Sequence, residues 1–143
     1  MRRWFFALAL ICLSSAAAPA QVPPDKALAT FTVAEGLELS LFASEPMLIN
    51  PTSMDIDHKG RVWVCEAVNY RRKNFGRPIL RAEGDRIVVL VDEKGEGKAT
   101  KAVTFYQGPE IYGPLGVCVA PYPDGKGQRV FVCQSPRRGP CTA

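Results

Sequence analysis

The chain has 143 residues, enough for one small domain, and carries 18 Lys and Arg against 14 Asp and Glu, a net charge of +4. Without residues 1–20, which hold Arg2 and Arg3 and no acid, the charge is (18 − 2) − 14 = +2, and a balance that close to neutrality speaks against nucleic acid as a partner, because nucleic-acid binding calls for a strongly basic face. A single histidine, His58, excludes His-rich metal sites and weakens any Ser-His or Cys-His scheme, and the five cysteines form no C-x-x-C, so neither a zinc knuckle nor c-type haem attachment is encoded.

Residues 1–20 read as a secretory signal peptide. Arg2 and Arg3 supply a positive start, Trp4 to Leu13 a short apolar core, and Ala18-Pro19-Ala20 an A-x-A cleavage pattern before Gln21. The apolar run falls short of the roughly 18 residues of a bilayer span, so cleavage is favoured over an uncut anchor. No later stretch is apolar enough for a stable transmembrane segment. The expected location is therefore exported, in the periplasm or at the cell surface, where disulfides can form. Residues 21–30, with Pro23 and Pro24, read as a linker.

From residue 31 the chain is a series of short β signals. Leu37, Leu39 and Leu41 alternate with polar residues, the period-2 pattern of a half-buried strand. Ser53 to Asp57 is a second strand, with a tight turn at His58-Lys59-Gly60. Arg61 to Val68 is nearly all apolar and reads as a strand buried on both faces. After the polar stretch Asn69 to Asp85 come strands at Arg86 to Val91 and Lys101 to Tyr106, with a Gly-containing turn at Asp92 to Lys98 between them. Beyond the loop Gln107 to Pro114, Val117 to Ala120 and Arg129 to Cys133 form a hairpin around Pro123 to Gly127. No helical periodicity stands out beyond the leader.

The spacing holds an internal repeat. Pro51 to Asp57, a turn, and Arg61 to Glu66 match Pro114 to Val119, a turn, and Arg129 to Gln134. Trp63 matches Phe131, Cys65 matches Cys133 and Glu66 matches Gln134, each 68 residues on. Four strands per period is the signature of a β-propeller blade, and the alternative is two ordinary hairpins in a sandwich. The fold class expected is all-β, a partial β-propeller of about one and a half four-stranded blades over residues 31–136. A closed propeller takes about 4 to 8 blades, so the chain reads as a fragment whose partners include missing downstream blades. Residues 137–143 have no strand pattern and read as an irregular tail of a frameshifted or truncated sequence.

The segments Gly36-Leu37-Glu38-Leu39, Leu41 to Pro46, Asn50-Pro51, Asp55 to Asp57, Gly60 to Val64 and Glu66 resemble the start of a family of large exported membrane-bound dehydrogenases of planctomycetes and verrucomicrobia. Gly84-Asp85-Arg86-Ile87, Val89-Leu90, Gly95 to Lys98 and Gly113 to Val117 continue the likeness, which covers Phe31 to about Pro136. Such proteins are similar to soluble quinoprotein sugar dehydrogenases. The resemblance implies a propeller, pyrroloquinoline quinone as a family cofactor, and a C-terminal cytochrome domain in which alone haem c is expected. It implies the N-terminal fragment of a quinoprotein-like dehydrogenase oxidising an alcohol or sugar, the fragment by itself being inactive. The alternative is a non-catalytic propeller module that binds carbohydrate or protein. The turn Asp92 to Gly97 resembles the family's calcium turns, but Lys94 stands in place of an acid, which favours a plain hairpin turn and no metal.

In a blade, alternate connections face opposite ends. The turns at His58 to Gly60 and Asp92 to Lys98 share one end, and the long loops Asn69 to Asp85 and Gln107 to Pro114 share the other. Long loops on a rigid scaffold carry binding more often than tight turns, so any site belongs with the long loops. Asn69, Tyr70, Arg71 and Arg72 open the first loop, and the arginines suit an anionic or hydroxyl-rich small molecule unless the loop is simply solvated. Tyr112 in the second loop could stack on a ring or pack. Glu66 is the candidate general base, or a strand-end residue bonding a neighbouring loop. His58 reads as a surface residue. Counting outward from Gly125 sets Cys118 opposite Cys133, so a disulfide there competes with buried free thiols.

Overall fold

A computed structural model describes residues 22–72 and 75–134. The leader with its cleavage point, Cys141 and the tail 137–143 lie outside the described residues. Four strands, β1 (Pro51–Ile56), β2 (Val62–Glu66), β3 (Arg86–Val91) and β4 (Lys101–Gln107), pair antiparallel in chain order as one meander. Two more, β5 (Pro114–Pro121) and β6 (Gln128–Gln134), form a hairpin of their own. The chain is all-β, in an arrangement compatible with one four-stranded propeller blade and half of the next. Among the described residues no helix is long and apolar enough to cross a membrane.

The central strands follow from their side chains. All five residues of β2 are buried, as the unbroken apolar run predicts, and so are Ile87 to Leu90 of the β-branched β3. Alternation then splits the core in two. Val62, Val64, Val88 and Leu90 point to one face, where Phe42, Ala43, Met47 and Leu48 pack on them. Trp63, Cys65, Ile87 and Val89 point to the other, against Val117, Val119, Val130 and Val132 of the hairpin. Three polar links fix the two sheets side by side. Thr52 Oγ1 donates to the Pro114 carbonyl at 2.5 Å, and Ser53 Oγ and Asp55 Oδ2 accept from the Val117 and Val119 amides at 3.3 and 2.6 Å.

The repeat is structural as well as sequential. Ser53 pairs with Cys65, Asp55 with Trp63 and Ile56 with Val62. In the hairpin Gly116 pairs with Cys133, Cys118 with Phe131 and Val119 with Val130. Each ladder carries an irregularity at the matching place, Pro51/Ser53 and Pro114/Gly116.

Two expectations are corrected. Leu37 to Leu41 forms no strand. A strand needs a neighbour's backbone groups, and residues 37–40 run exposed, with Leu37 71% open, although Phe42 just beyond the segment accepts the Ala99 amide at 2.8 Å. The Cys118–Cys133 bridge is also absent. The loop closes through Tyr122 N–H to the Gly127 carbonyl at 3.0 Å, which centres it between Asp124 and Gly125 and shifts the register by one residue on each strand. Cys118 therefore faces Phe131, and both Cys118 and Cys133 are free and exposed. In the linker, Pro24–Ala27 makes one helical turn with Pro at its start and Asp25 in its first turn, both favourable there.

Candidate functional site

The two long loops do meet at one end of the sheet, and a residue that sequence reasoning passed over joins them. Asp85, fully buried at the entry to β3, accepts the Asn69 amide at 2.9 Å on Oδ1 and the Gly113 amide at 2.8 Å on Oδ2. Its own amide donates to the Ile111 carbonyl at 3.0 Å. The signal for it was available: an acid between Gly84 and a strongly β-branched run has no room to be solvated. Gly84 itself has φ +102 and touches Gly108, where an added Cβ would lie on the carbonyl oxygen. The loops are thus in backbone contact.

Asn69 works inside the first loop. Its Nδ2 donates to the Arg81 carbonyl at 2.7 Å, and its Oδ1 accepts the Leu80 and Arg81 amides at 3.0 and 3.2 Å. A buried amide satisfied on both sides is a brace rather than a ligand contact. Glu66 is braced more firmly. It is fully buried, and Oε2 accepts Arg86 Nε at 2.6 Å and Arg81 Nη1 at 2.8 Å. Oε1 accepts Arg86 Nη2 at 3.0 Å and the Ile49 amide at 2.9 Å. Burial alone would raise this carboxyl, but the bonds from Arg86, Arg81 and Ile49 outweigh it and hold the pKa below the ordinary value. An ionised carboxylate with four donors has no lone pair aimed at a substrate. The strand-end reading of Glu66 fits this geometry, and the general-base role has no geometric support.

Tyr70, Arg71 and Arg72 come together instead. With Arg77, Phe75 and Leu80 they line a cavity of about 450 Å³, backed by Ile49, Asn50 and Val68. The loop turns sharply here, and Arg71 takes a left-handed φ of 58°. Its guanidinium carbon lies 4.9 Å from the Tyr70 ring centre, a cation–π contact. The ring rests on Gly113, whose φ is +60 and where a Cβ would meet Tyr70 Cδ2 at 2.7 Å. Arg72 Nε donates to the Pro78 carbonyl at 2.6 Å, which aims the rest of its guanidinium. Among the described residues Arg71, Arg72 and Arg77 have no carboxylate within ion-pair distance, whereas Arg61, Arg81 and Arg86 do. Arg77 belongs to the basic content by which the sequence marked this loop, whereas Phe75 and Leu80 carried no signal.

Tyr112 does not line this cavity. Its amide donates to Gln134 Oε1 at 3.0 Å, and its buried hydroxyl has no hydrogen-bond partner among the described residues. Gln134 also donates to the Glu110 carbonyl at 3.0 Å, so it ties the second loop to β6 as Glu66 ties the first to β3.

The opposite end holds the tight turns. His58 is exposed there, as expected. Asp57 Oδ2 accepts Arg61 Nε at 2.7 Å and Trp63 Nε1 at 3.0 Å, while Oδ1 accepts the Lys59 and Arg61 amides. Burial opposes ionisation, and these donors outweigh it, so the carboxyl sits well below its usual range. Asp92 spends its oxygens on the Lys94, Gly95 and Gly97 amides at 3.1, 2.8 and 2.7 Å. Among the described residues no three His, Cys, Asp or Glu side chains gather as a metal site.

The profile of one protein family, described as a domain of unknown function (DUF7133), matches residues 23–137. No curated protein and no solved structure matches the chain.

Proposed function

The chain belongs to the DUF7133 family of domains of unknown function, and we propose that it is an exported binding element that takes a ring-containing anionic small molecule in the cavity at Tyr70, Arg71, Arg72 and Arg77. The observation that supports this reading is three arginines with no carboxylate among the described residues, set beside an aromatic face and an apolar floor. A guanidinium with no carboxylate of its own is available for bidentate pairing with a ligand carboxylate, and Tyr70 and Phe75 give a planar ring something to rest on. A neutral sugar would leave the charges unmatched. A carboxylated one, or a carboxylated aromatic ring, would match them.

The dehydrogenase reading uses the same cavity. Pyrroloquinoline quinone is planar and carries carboxylates, so the donor set and the aromatic face fit it, and it would supply the redox chemistry when bound. The residues of this chain would hold and orient it. Glu66, spent on two arginines, would not move a proton.

The test is calorimetric titration of the full chain with pyrroloquinoline quinone, glucuronate and glucose. The two anions should bind and glucose should not, and added salt should weaken binding. The combined change Arg71→Ala, Arg72→Ala and Arg77→Ala should cost at least tenfold in affinity. Anion binding that survives that change, or none at all, overturns the reading.

A further inference from the structure

The packing between the two repeats has a direction, and that direction leaves two unlike apolar faces exposed. By the repeat, Val117, Val119, Val130 and Val132 of the hairpin correspond to Met54, Ile56, Val62 and Val64 of the meander. The first four are the residues with which the hairpin covers its neighbour. The second four therefore form the same kind of face one repeat earlier. Half of that face is taken: Val62 and Val64 are buried beneath Phe42 to Leu48. Met54 and Ile56 are 63% and 55% exposed, and a cavity of about 650 Å³ opens beside them. Conversely, the face that receives the hairpin carries Trp63 and Cys65. Their equivalents one repeat later are Phe131 and Cys133, and Phe131 is 54% exposed.

The chain thus displays a Val-type face at one end and an aromatic-and-cysteine face at the other, and inside the molecule these two kinds of face pack together. We propose that the open half of this face, Met54 and Ile56, docks a second copy of this chain, head to tail, through the second copy's Phe131 and Cys133 face. The partner's chemistry is read from the internal joint, where Val117 and Val119, the equivalents of Met54 and Ile56, already pack on the cluster of Trp63 and Cys65. Size agrees as well: the internal joint seats a two-stranded hairpin on a meander, and a two-stranded hairpin is what the second copy would present. The new joint is weaker than the internal one, because Gly116 and Cys118 replace Ser53 and Asp55 and supply no oxygen to the neighbour's amides. Of those amides, Ile56 N–H is already satisfied by Asp55 Oδ1 at 2.8 Å, so the loss is tolerable. Such an interface is heterologous, and each docked copy leaves one face of each kind open for the next.

Sedimentation of the full chain over a range of concentrations tests this. The wild type should grow past a dimer as concentration rises. Ile56→Glu spoils one face and Phe131→Glu the other, both at exposed positions that the fold does not need buried, and circular dichroism checks that each variant is folded. Each variant alone should remain monomeric where the wild type associates, with apparent affinity down at least tenfold. Mixed one to one, the two variants should form a 1:1 dimer and nothing larger, because the mixture retains one intact pair of faces. A mixture that stays monomeric overturns the proposal. So does a single variant that associates like the wild type, which would mark a symmetric interface or association through another surface.

Discussion

At the scale of single residues, charge placement decides what the molecule can do. Glu66 and Asp85 are both fully buried, yet neither is available to chemistry, because every oxygen faces donors from this chain. Glu66→Gln would leave Arg81 and Arg86 facing a neutral amide. Breaking a buried pair by removing one partner costs about 3 kcal/mol or more, and urea unfolding should show a loss of that order. Cys65 gives a contrasting prediction. Burial, with the nearby Cys133 adding to it, pushes its thiol up to about 11, so it stays protonated and shielded at pH 8. Iodoacetamide at that pH should label Cys118 and Cys133 and spare Cys65, read by peptide mass spectrometry. The sequence marked Glu66, Asn69 and the arginines as chemically loaded, and it could not say which were already spent. That depends on distances between residues as far apart in the chain as Glu66 and Arg86, which no local pattern records.

At the scale of elements, two carboxylate knots clamp opposite ends of the meander, Asp57 at the tight-turn end and Glu66 at the loop end. Both carboxyls are lowered by their donors. A carboxyl lowered in the folded state contributes stability above its unfolded value, about 3.9 for Asp and 4.3 for Glu, and loses it as pH falls through the folded value. The thermal midpoint should therefore stay level from pH 7 to about 5 and fall steadily below about 4. Loop geometry gives a separate handle on the cavity. Gly113→Ala puts a methyl group into the Tyr70 ring at a left-handed φ, so the ring must move. Anion affinity should drop several-fold in titration while the sheet persists in circular dichroism. Five of the six strands could be read from β-branched runs and turn residues to within a residue or two, and β5 was foreseen only as Val117 to Ala120. Leu37 to Leu41 misled because alternation describes which side chains suit a sheet edge, and says nothing about whether a partner strand is there. The hairpin register was missed by one residue on each strand because the loop's closing bond, Tyr122 to Gly127, cannot be located from composition.

At the scale of the whole molecule, the repeat was legible as paired motifs, but its directionality was not. Only the side-chain faces distinguish a head-to-tail stack from two hairpins in a sandwich, and those faces emerge when Val117 and Val132 are seen against Trp63 and Cys65. Association through them has a thermodynamic consequence. Whatever binds the folded chain and not the unfolded one stabilises it, by about 2.7 kcal/mol at a hundredfold excess over Kd. Here the ligand is the chain itself, so stability should depend on its own concentration. A shift of 1 kcal/mol moves the midpoint of a small domain by about 4–8 °C, well within the resolution of scanning calorimetry. The wild-type midpoint should climb as concentration is raised a hundredfold through the range where sedimentation detects association. Ile56→Glu, with its Val-type face spoiled, should melt at one temperature throughout. The variant separates this effect from aggregation of unfolded chains, because aggregation lowers the apparent midpoint with concentration and does not require an intact folded face.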